Sequence, residues 1–214
     1  AEVSEFDGLP VLGLQESPLY GWNRVLKRAM DLAFAGTFVL AFSWLYLLLA
    51  LGVKLTSRGP VFYRQERMGL DGRTFGMLKF RSMRVDAEKE TGAVWAVADD
   101  PRRTRFGTFL RKTSLDEFPQ FLNVLLGHMS IVGPRPERPV FIEQFKSTVP
   151  RYMLRHKMKA GITGWAQVNG WRGDTSLRKR IQYDLYYIEN WSLWFDIRIM
   201  FLTAFRGLVA PNAY

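Results

Sequence analysis

Asp116 and Glu117 stand side by side in TSLDEFPQ (113–120), and adjacent carboxylates are a pair that can share a hard divalent cation such as Mg²⁺. Ser114-x-x-Glu117 has the spacing of a capping box, which puts both acids in the first turn of a helix. Pro119 also suits a first helical position, which instead starts the helix at Phe118. Either way the carboxylates lie beside unpaired N–H groups and the positive end of a helix dipole, a setting that keeps them ionised and attracts phosphate. An ionised aspartate next to metal-bound phosphate can act as a nucleophile. Taken alone, such a pair more often does no more than stabilise a first turn.

The cations shift that balance. Lys79 and Arg81 alternate in an expected strand and so share a face. Arg111 lies just before the acidic pair. In GPRPERP (133–139), Pro136 pushes Arg135 out of the helical region and Pro134 stiffens the approach. A guanidinium on so rigid a loop loses little entropy in clamping a phosphate with two bonds. Gln120 and Arg138, next to the dyad and on the same loop, complete the expected phosphate-binding set, with Asp116 and Glu117 as metal ligands. Four cations around one acidic dyad point to phosphoryl chemistry. Asp99, Asp100 and Arg102 read as a turn or as support for the dyad. In GITGWAQVNG, Gly161, Gly164 and Gly170 mark tight turns, and Gln167 and Asn169 offer amides that can read a base or a sugar, although a structural turn is the first expectation. His128 and His156 are read as structural.

The elements that position these residues begin with an uncharged run from Leu32 to Val53. About 22 helical residues reach about 33 Å, the thickness of a bilayer core. Arg24, Lys27 and Arg28 flank one end; Lys54, Arg58, Arg64 and Arg67 flank the other. A straight span normally has one end poor in Lys and Arg. Two basic ends suit a helix that enters and returns. Residues 1–22 read as an entry arm, 23–55 as the membrane-associated segment and 56–214 as a cytosolic catalytic domain. Two strands around Asp71–Gly72 form an expected hairpin. A short polar helix is expected over 82–90, two helices broken near Ser114, and further helices over 139–147 and 176–208. The last carries Tyr183, Tyr186, Tyr187, Trp191, Trp194, Phe195, Phe201 and Phe205, which suit either the headgroup level or the protein core. The expected fold is α+β and predominantly helical.

Composition agrees. The 214 residues are 48 % hydrophobic and 14 % aromatic, which excludes disordered, collagen-like and coiled-coil chains. Thirty Lys and Arg against twenty Asp and Glu give a formal charge of +10, which favours anionic partners. No cysteine is present, so no disulfide or thiolate metal site can form, and two histidines argue against a zinc cage.

KRAMDLAF, KLTSRGPVFYRQERMG, LKFRSM, DPRRTRFGTFLRKTSLDEFPQFLNVLLGHMSIVGPRPERP and GITGWAQVNGWRG together resemble the bacterial sugar transferases, the monotopic polyprenyl-phosphate hexose-1-phosphate transferases. The resemblance covers about residues 20–214. The entry arm and the tail look like the larger exopolysaccharide and capsule enzymes, so the chain, whose residue 1 is alanine, is expected to be a catalytic part. The resemblance implies transfer of a sugar-1-phosphate from a UDP-sugar to undecaprenyl phosphate with release of UMP. It implies Mg²⁺, a covalent intermediate on Asp116, and Glu117 as metal ligand or helper base. It matches Lys79, Arg111 and Arg135 to cationic positions that hold diphosphate. UDP-glucose is the expected donor, with UDP-galactose second. The site is expected at the cytoplasmic face of the bacterial inner membrane, with membrane lipids as partners, a possible homodimer and no nucleic acid. The competing function is a membrane-tethered polyanion-binding protein without turnover. Relatives usually carry Ser-Pro in the membrane helix, where this chain has Ser43-Trp44; a side-chain bond from Ser43 to a carbonyl one turn back is the remaining way to bend it.

Overall fold

The uncharged run folds as two helices, α1 (Trp22–Ala41) and α2 (Ser43–Thr56), bent by 64° at Phe42. Ser43 Oγ donates to the Leu40 carbonyl at 3.0 Å, so a serine back-bond stands where a proline is absent. Among the described residues neither helix alone is long and apolar enough to cross a membrane; only the bent pair has the length and composition. It leaves Leu32, Phe34, Leu40, Trp44, Leu47, Leu48, Leu51 and Leu55 exposed, a larger apolar face than water-facing surfaces usually carry.

The computed structural model describes residues 2–6, 9–13, 19–85, 87, 100–173 and 175–207. Before α1, β1 (Glu2–Phe6) and β2 (Leu9–Gly13) pair antiparallel, so the stretch read as an arm contains a hairpin. β3 (Phe62–Met68) and β4 (Thr74–Phe80) form the expected hairpin, with Phe62 opposite Phe80 and Met68 opposite Thr74. A 3₁₀ turn at Leu70–Gly72 joins them, with Asp71 at φ 52° and Gly72 at φ 75°. After β4 the chain is irregular through Val85, with Met83 bridging Arg103, so the helix expected over 82–90 does not start there; residues 86 and 88–90 lie outside the described residues.

α3 (Arg105–Lys112) is capped by Thr104, whose side chain accepts from the Gly107 amide. α4 (Gln120–Leu125) follows a 3₁₀ turn at Leu115–Glu117. β5 (Ser130–Val132) and β6 (Gly161–Thr163) pair in parallel. The chain passes itself closely here: a Cβ on Gly161 would stand 2.1 Å from the Gly133 amide nitrogen. Gly161 is therefore a close-approach strand residue, not the expected turn, while Gly170, at φ 84°, is in a left-handed conformation.

α5 (Pro139–Thr148) matches expectation, and α6 (Trp165–Val168) is a single turn. The helix expected over 176–208 is two, α7 (Leu177–Glu189) and α8 (Leu193–Gly207). The corner closes on buried Asp196, which accepts from Tyr187 Oη at 2.6 Å, Trp191 Nε1 at 3.2 Å and Lys27 Nζ at 2.6 Å. The aromatic stripe divides between its two readings: Tyr187, Trp191 and Phe195 are core, whereas Tyr186, Trp194, Phe201 and Phe205 are exposed. The main core joins Ala35 of α1 to Met77, Val124, Ile131, Val132, Tyr187 and Ile199. A second packs Leu49 and Val53 of α2 on Phe80 and Leu110.

Candidate active site

The dyad sits at the break between α3 and α4. α3 stops at Thr113, and Ser114 turns left-handed at φ 55°. That conformation is the usual way to end a helix, though asparagine or glycine normally supplies it. Ser114 therefore terminates α3 instead of capping the next helix, and its side chain makes no capping bond. The capping-box reading fails for this reason. The chain continues as the 3₁₀ turn carrying Asp116 and Glu117, and Pro119 leads into α4 as its cap residue, not as the first helical position.

Two contacts fix this turn. Asn123 on α4 donates from Nδ2 to the Gly76 carbonyl at 2.8 Å and accepts from the Leu78 amide at 2.8 Å, clipping α4 to β4. Phe118 packs against Phe38, Phe42 and Tyr46 at the bend of the helix pair, and Tyr46 Oη donates to the Phe118 carbonyl at 2.5 Å. The bend and the dyad are thus built on one another.

Lys79 Nζ reaches Glu117 Oε1 at 2.8 Å and Asp116 Oδ2 at 3.7 Å. Arg135 Nη2 donates to Glu117 Oε1 at 2.7 Å and Nη1 to Gln167 Oε1 at 3.2 Å, with Glu117 Oε2 at 3.5 Å. The two acids are consequently unlike. Glu117 is held well below the usual carboxylate range: burial works against its charge, but Arg135 and Lys79 together outweigh it. Asp116, 8 % exposed at its side chain, accepts no hydrogen bond from the described residues. Burial raises its pKa; Lys79 opposes the rise, and the Glu117 charge adds to it.

The loop carrying Arg135 is pinned at four consecutive carbonyls. Pro134 accepts from the Gly161 amide at 2.9 Å, Arg135 from Arg155 Nη2 at 3.0 Å, Pro136 from Arg67 Nη1 at 3.1 Å and Glu137 from the Met68 amide at 3.0 Å. Behind it lies a buried ion-pair lattice. Glu137 accepts from Arg180 Nη1 at 2.8 Å, and Asp184 accepts from Arg155 Nη2 at 2.7 Å. Stiffness first expected from two prolines is thus completed by tertiary bonds.

The structure gathers some of the expected residues and sets others apart. Asp116, Glu117, Lys79 and Arg135 meet directly. Arg111 is close enough that Asp116 supports its charge, while its Nε donates to Ser82 Oγ at 2.9 Å. Gln120 is buried at the start of α4 with its Nε2 unpartnered. Arg138 precedes α5 and acts electrostatically on Arg67. Arg81 lies elsewhere: its Nη2 donates to the carbonyl and hydroxyl of Ser57 at 2.8 and 2.7 Å, closing the end of α2. Asp100 folds onto Arg102 in a local turn, Oδ2 to Nη2 at 2.6 Å; Asp99 lies outside the described residues. Gln167, whose amide was expected to be structural first and to read a base or a sugar second, joins the site, and two members escaped the sequence reading: Arg172, which adds charge near Arg135, and Arg67. Arg67 is half-buried, and its pKa is pushed down to about 10 by the loss of solvent around it, with Arg135 and Arg138 adding to the fall against the Glu137 charge. Among the described residues no three His, Asp or Glu side chains converge as a protein-only metal cage.

Comparison with known proteins bears on this arrangement of one acidic pair among arginines and lysine. Residues 22–210 match the model of the bacterial sugar transferases. The chain belongs to that family. It is 51 % identical over 218 residues to the UDP-glucose:undecaprenyl-phosphate glucose-1-phosphate transferase of Escherichia coli K12, covering all of this chain and 47 % of that protein. It is 46 % identical over 192 residues to a UDP-N-acetylgalactosamine-undecaprenyl-phosphate N-acetylgalactosaminephosphotransferase of Aeromonas hydrophila, covering 89 % of this chain and 44 % of that one. It is 45 % identical over 197 residues to the exopolysaccharide production protein PSS of Rhizobium leguminosarum, covering 89 % of this chain and 98 % of that protein. The chain spans about half the length of the first of these sugar transferases.

Proposed function

We propose that this member of the family transfers hexose-1-phosphate from a UDP-sugar, UDP-glucose first, to undecaprenyl phosphate and releases UMP. The observation that carries the reading is the asymmetry of the dyad: Glu117 is bound by two cations, and neighbouring Asp116 is buried, unbonded and raised in pKa. A carboxylate with no hydrogen bonds to break is the better nucleophile. In the proposed course, an Asp116 oxygen attacks the sugar-bearing phosphorus of the diphosphate. The bond to the bridging oxygen breaks, and UMP leaves with that electron pair. Undecaprenyl phosphate then attacks the same phosphorus and returns the electron pair to Asp116, giving the lipid diphosphate-sugar. Lys79, Arg111 and Arg135 face the charge that builds on the transferred group. Glu117, its charge favoured by Lys79 and Arg135, holds both cations in place.

Mg²⁺ fits these donors as a substrate-borne ion: it commonly takes one or two carboxylates and completes its shell with water and phosphate. The unbonded Asp116 carboxylate and Glu117 Oε2, with a single 3.5 Å contact, supply that pair. Bound Mg²⁺ would neutralise diphosphate charge.

The exposed apolar face of the bent pair and the basic residues at both of its ends support a re-entrant seat in the cytoplasmic leaflet of the inner membrane. Because the chain has no cysteine, single cysteines at Asn23 and Thr56 test this cleanly: both are labelled from the same side, and labelling from opposite sides means a span instead. For the reaction, radiolabelled UDP-glucose, UDP-galactose and UDP-N-acetylgalactosamine are incubated with the protein, Mg²⁺ and undecaprenyl phosphate. Label from UDP-glucose enters the lipid phase, UMP appears, and Asp116→Asn abolishes both. Salt-sensitive polyanion binding that survives Asp116→Asn, with no UMP from any donor, is the result that favours the non-catalytic alternative.

A further inference from the structure

A second group of cations gathers at the start of α1. Arg28 Nη1 donates to the Val124 carbonyl at 2.6 Å and Nη2 to the Leu125 carbonyl at 2.9 Å, so its guanidinium is fixed at the C-terminal end of α4. The chain then turns through Gly127, at φ 83°. A Cβ on Gly127 would stand 3.6 Å from Arg28 Nη2 and 3.8 Å from Lys159 Nζ. The missing side chain thus leaves a notch with a cation on each wall.

Lys159 is half-buried and makes no hydrogen bond or ion pair with the described residues. Burial and the charges of Arg28, Arg24 and Lys27 act on it together, against Asp31 alone. Lys27 is neutralised by its pair with Asp196, and Asp31 takes its hydrogen bonds from Ser130 Oγ and the Ile131 amide, not from the notch cations. Lys159, Arg28 and Arg24 thus face one carboxylate, Asp31, which bonds none of them, so the notch keeps a half-buried excess of positive charge. Its surroundings say which anion fits. Trp22, Val25, Leu26 and Leu126 are all at least half exposed on the adjoining turns of α1 and at the end of α4. A free ion in water needs no such apolar rim. A lipid presents a phosphate at the depth where an interfacial protein places cations, with hydrocarbon immediately beyond.

We propose that Lys159, Arg28 and Arg24 form a binding site for the phosphate of an anionic phospholipid headgroup, separate from the Asp116 site. The proposal rests on the membrane seat proposed above and not on the transfer reaction. It is tested by partitioning the whole chain onto phosphatidylethanolamine vesicles with and without phosphatidylglycerol. Lys159→Gln and Arg24→Gln each weaken binding to the anionic vesicles about fivefold, from the usual worth of one cation at a charged bilayer. Neither changes binding to the neutral vesicles, Lys159→Arg retains the affinity, and Arg178→Gln, at an exposed cation of α7, brings no comparable loss. Equal losses for Lys159→Gln and Arg178→Gln, or a loss on neutral vesicles, overturn the proposal. Inorganic phosphate that releases the protein better than chloride at matched ionic strength makes it a free-phosphate site and overturns the lipid assignment. A protein that binds neither vesicle overturns the membrane seat together with the proposal, whatever the outcome of the UDP-sugar assay.

Discussion

Two clusters of carboxylates and cations lie on either side of the Pro134–Arg138 loop, and they are built to opposite ends. In the lattice of Glu137, Asp184, Arg155 and Arg180, both acids accept a bond from a buried guanidinium, and the cations also hold carbonyls, Arg155 that of Arg135 and Arg180 that of Gly173. In the dyad cluster one acid is satisfied in the same manner and the other is not. Asp116 is as buried as the lattice acids, yet its nearest cation stands at 3.7 Å. Burying a carboxylate without bonds costs free energy, and a fold tolerates that cost where the group is needed for something else. Saturated charges fix a loop; an unsaturated one is available to a ligand.

The contrast is broken most directly by neutralising one acid in each cluster. Asp116→Asn lowers kcat/KM for UMP release by at least ~10⁴-fold, the scale of losing a nucleophile, while its melting temperature stays equal to or above that of the parent. The stability half follows from the hydrogen bonds and not from the pKa, which burial raises for Asp116 and Asp184 alike: Asp116 has no bond to lose, whereas Asp184 holds Arg155. Asp184→Asn does the reverse: it removes the carboxylate bonded to buried Arg155, leaving Glu137 at 3.7 Å as the facing acid, and costs about 3 kcal/mol in chemical denaturation. If Asp116→Asn proves as destabilising as Asp184→Asn, the dyad is a structural cluster and the distinction disappears.

Arg135→Lys sharpens the difference from the other side. The planar fork now spans Glu117 and Gln167; a lysine keeps the charge but cannot make both contacts. Turnover is expected to fall about 10²-fold, as for the loss of one oriented donor, with little change in stability since Arg135 is the most exposed member of the cluster. A large fall in stability without a kinetic effect assigns Arg135 to the lattice instead.

Much of this was legible from residue types and spacing, because the features involved are local. The Asp71–Gly72 hairpin, the break at Ser114 and the stiff GPRPERP loop each have their cause within a few residues. Arg67 was legible too and was missed: the hairpin register sets Tyr63 against Lys79 and Arg67 against Phe75, so Arg67 shares the face of Lys79. Asp7–Gly8, between the alternating EVSEF and the apolar LPVL, was likewise an unread hairpin signal. What could not be read were decisions made at a distance. Ser114 can close one helix or open the next, and only the packing of Phe118 on the bent pair selects the former. Lys79 and Arg81 alternate as expected, but Arg81 is drawn to the end of α2 because Ser57 offers it two acceptors. The α7–α8 corner was hidden by aromatic spacing that runs across it, and its cause, Asp196, finds one partner 169 positions away in Lys27.

The smallest test concerns His156, which adjoins the lattice and not the dyad. Its ring packs on Tyr152 at 5.9 Å, and with Arg135, Pro136 and Met68 it lines a small cavity under the loop. Burial first, and then the charge of Arg155, push its pKa down from 6.5 to about 4. The folded protein therefore keeps the ring neutral where the unfolded chain would protonate it. The stability this represents is complete above pH 6.5 and is lost as the pH falls from there toward 4. Melting temperature should consequently drop between pH 7 and pH 5 more steeply in the parent than in His156→Gln, which cannot titrate. Single-turnover rates of the folded protein should not follow, since its His156 ring stays neutral over this range and the Asp116 surroundings are unchanged. Rates that fall while the protein is still folded, and recover in His156→Gln, mean that the ring takes up a proton in the fold and that the loop transmits its charge between the clusters, so that the lattice tunes the Arg135 clamp as well as holding it.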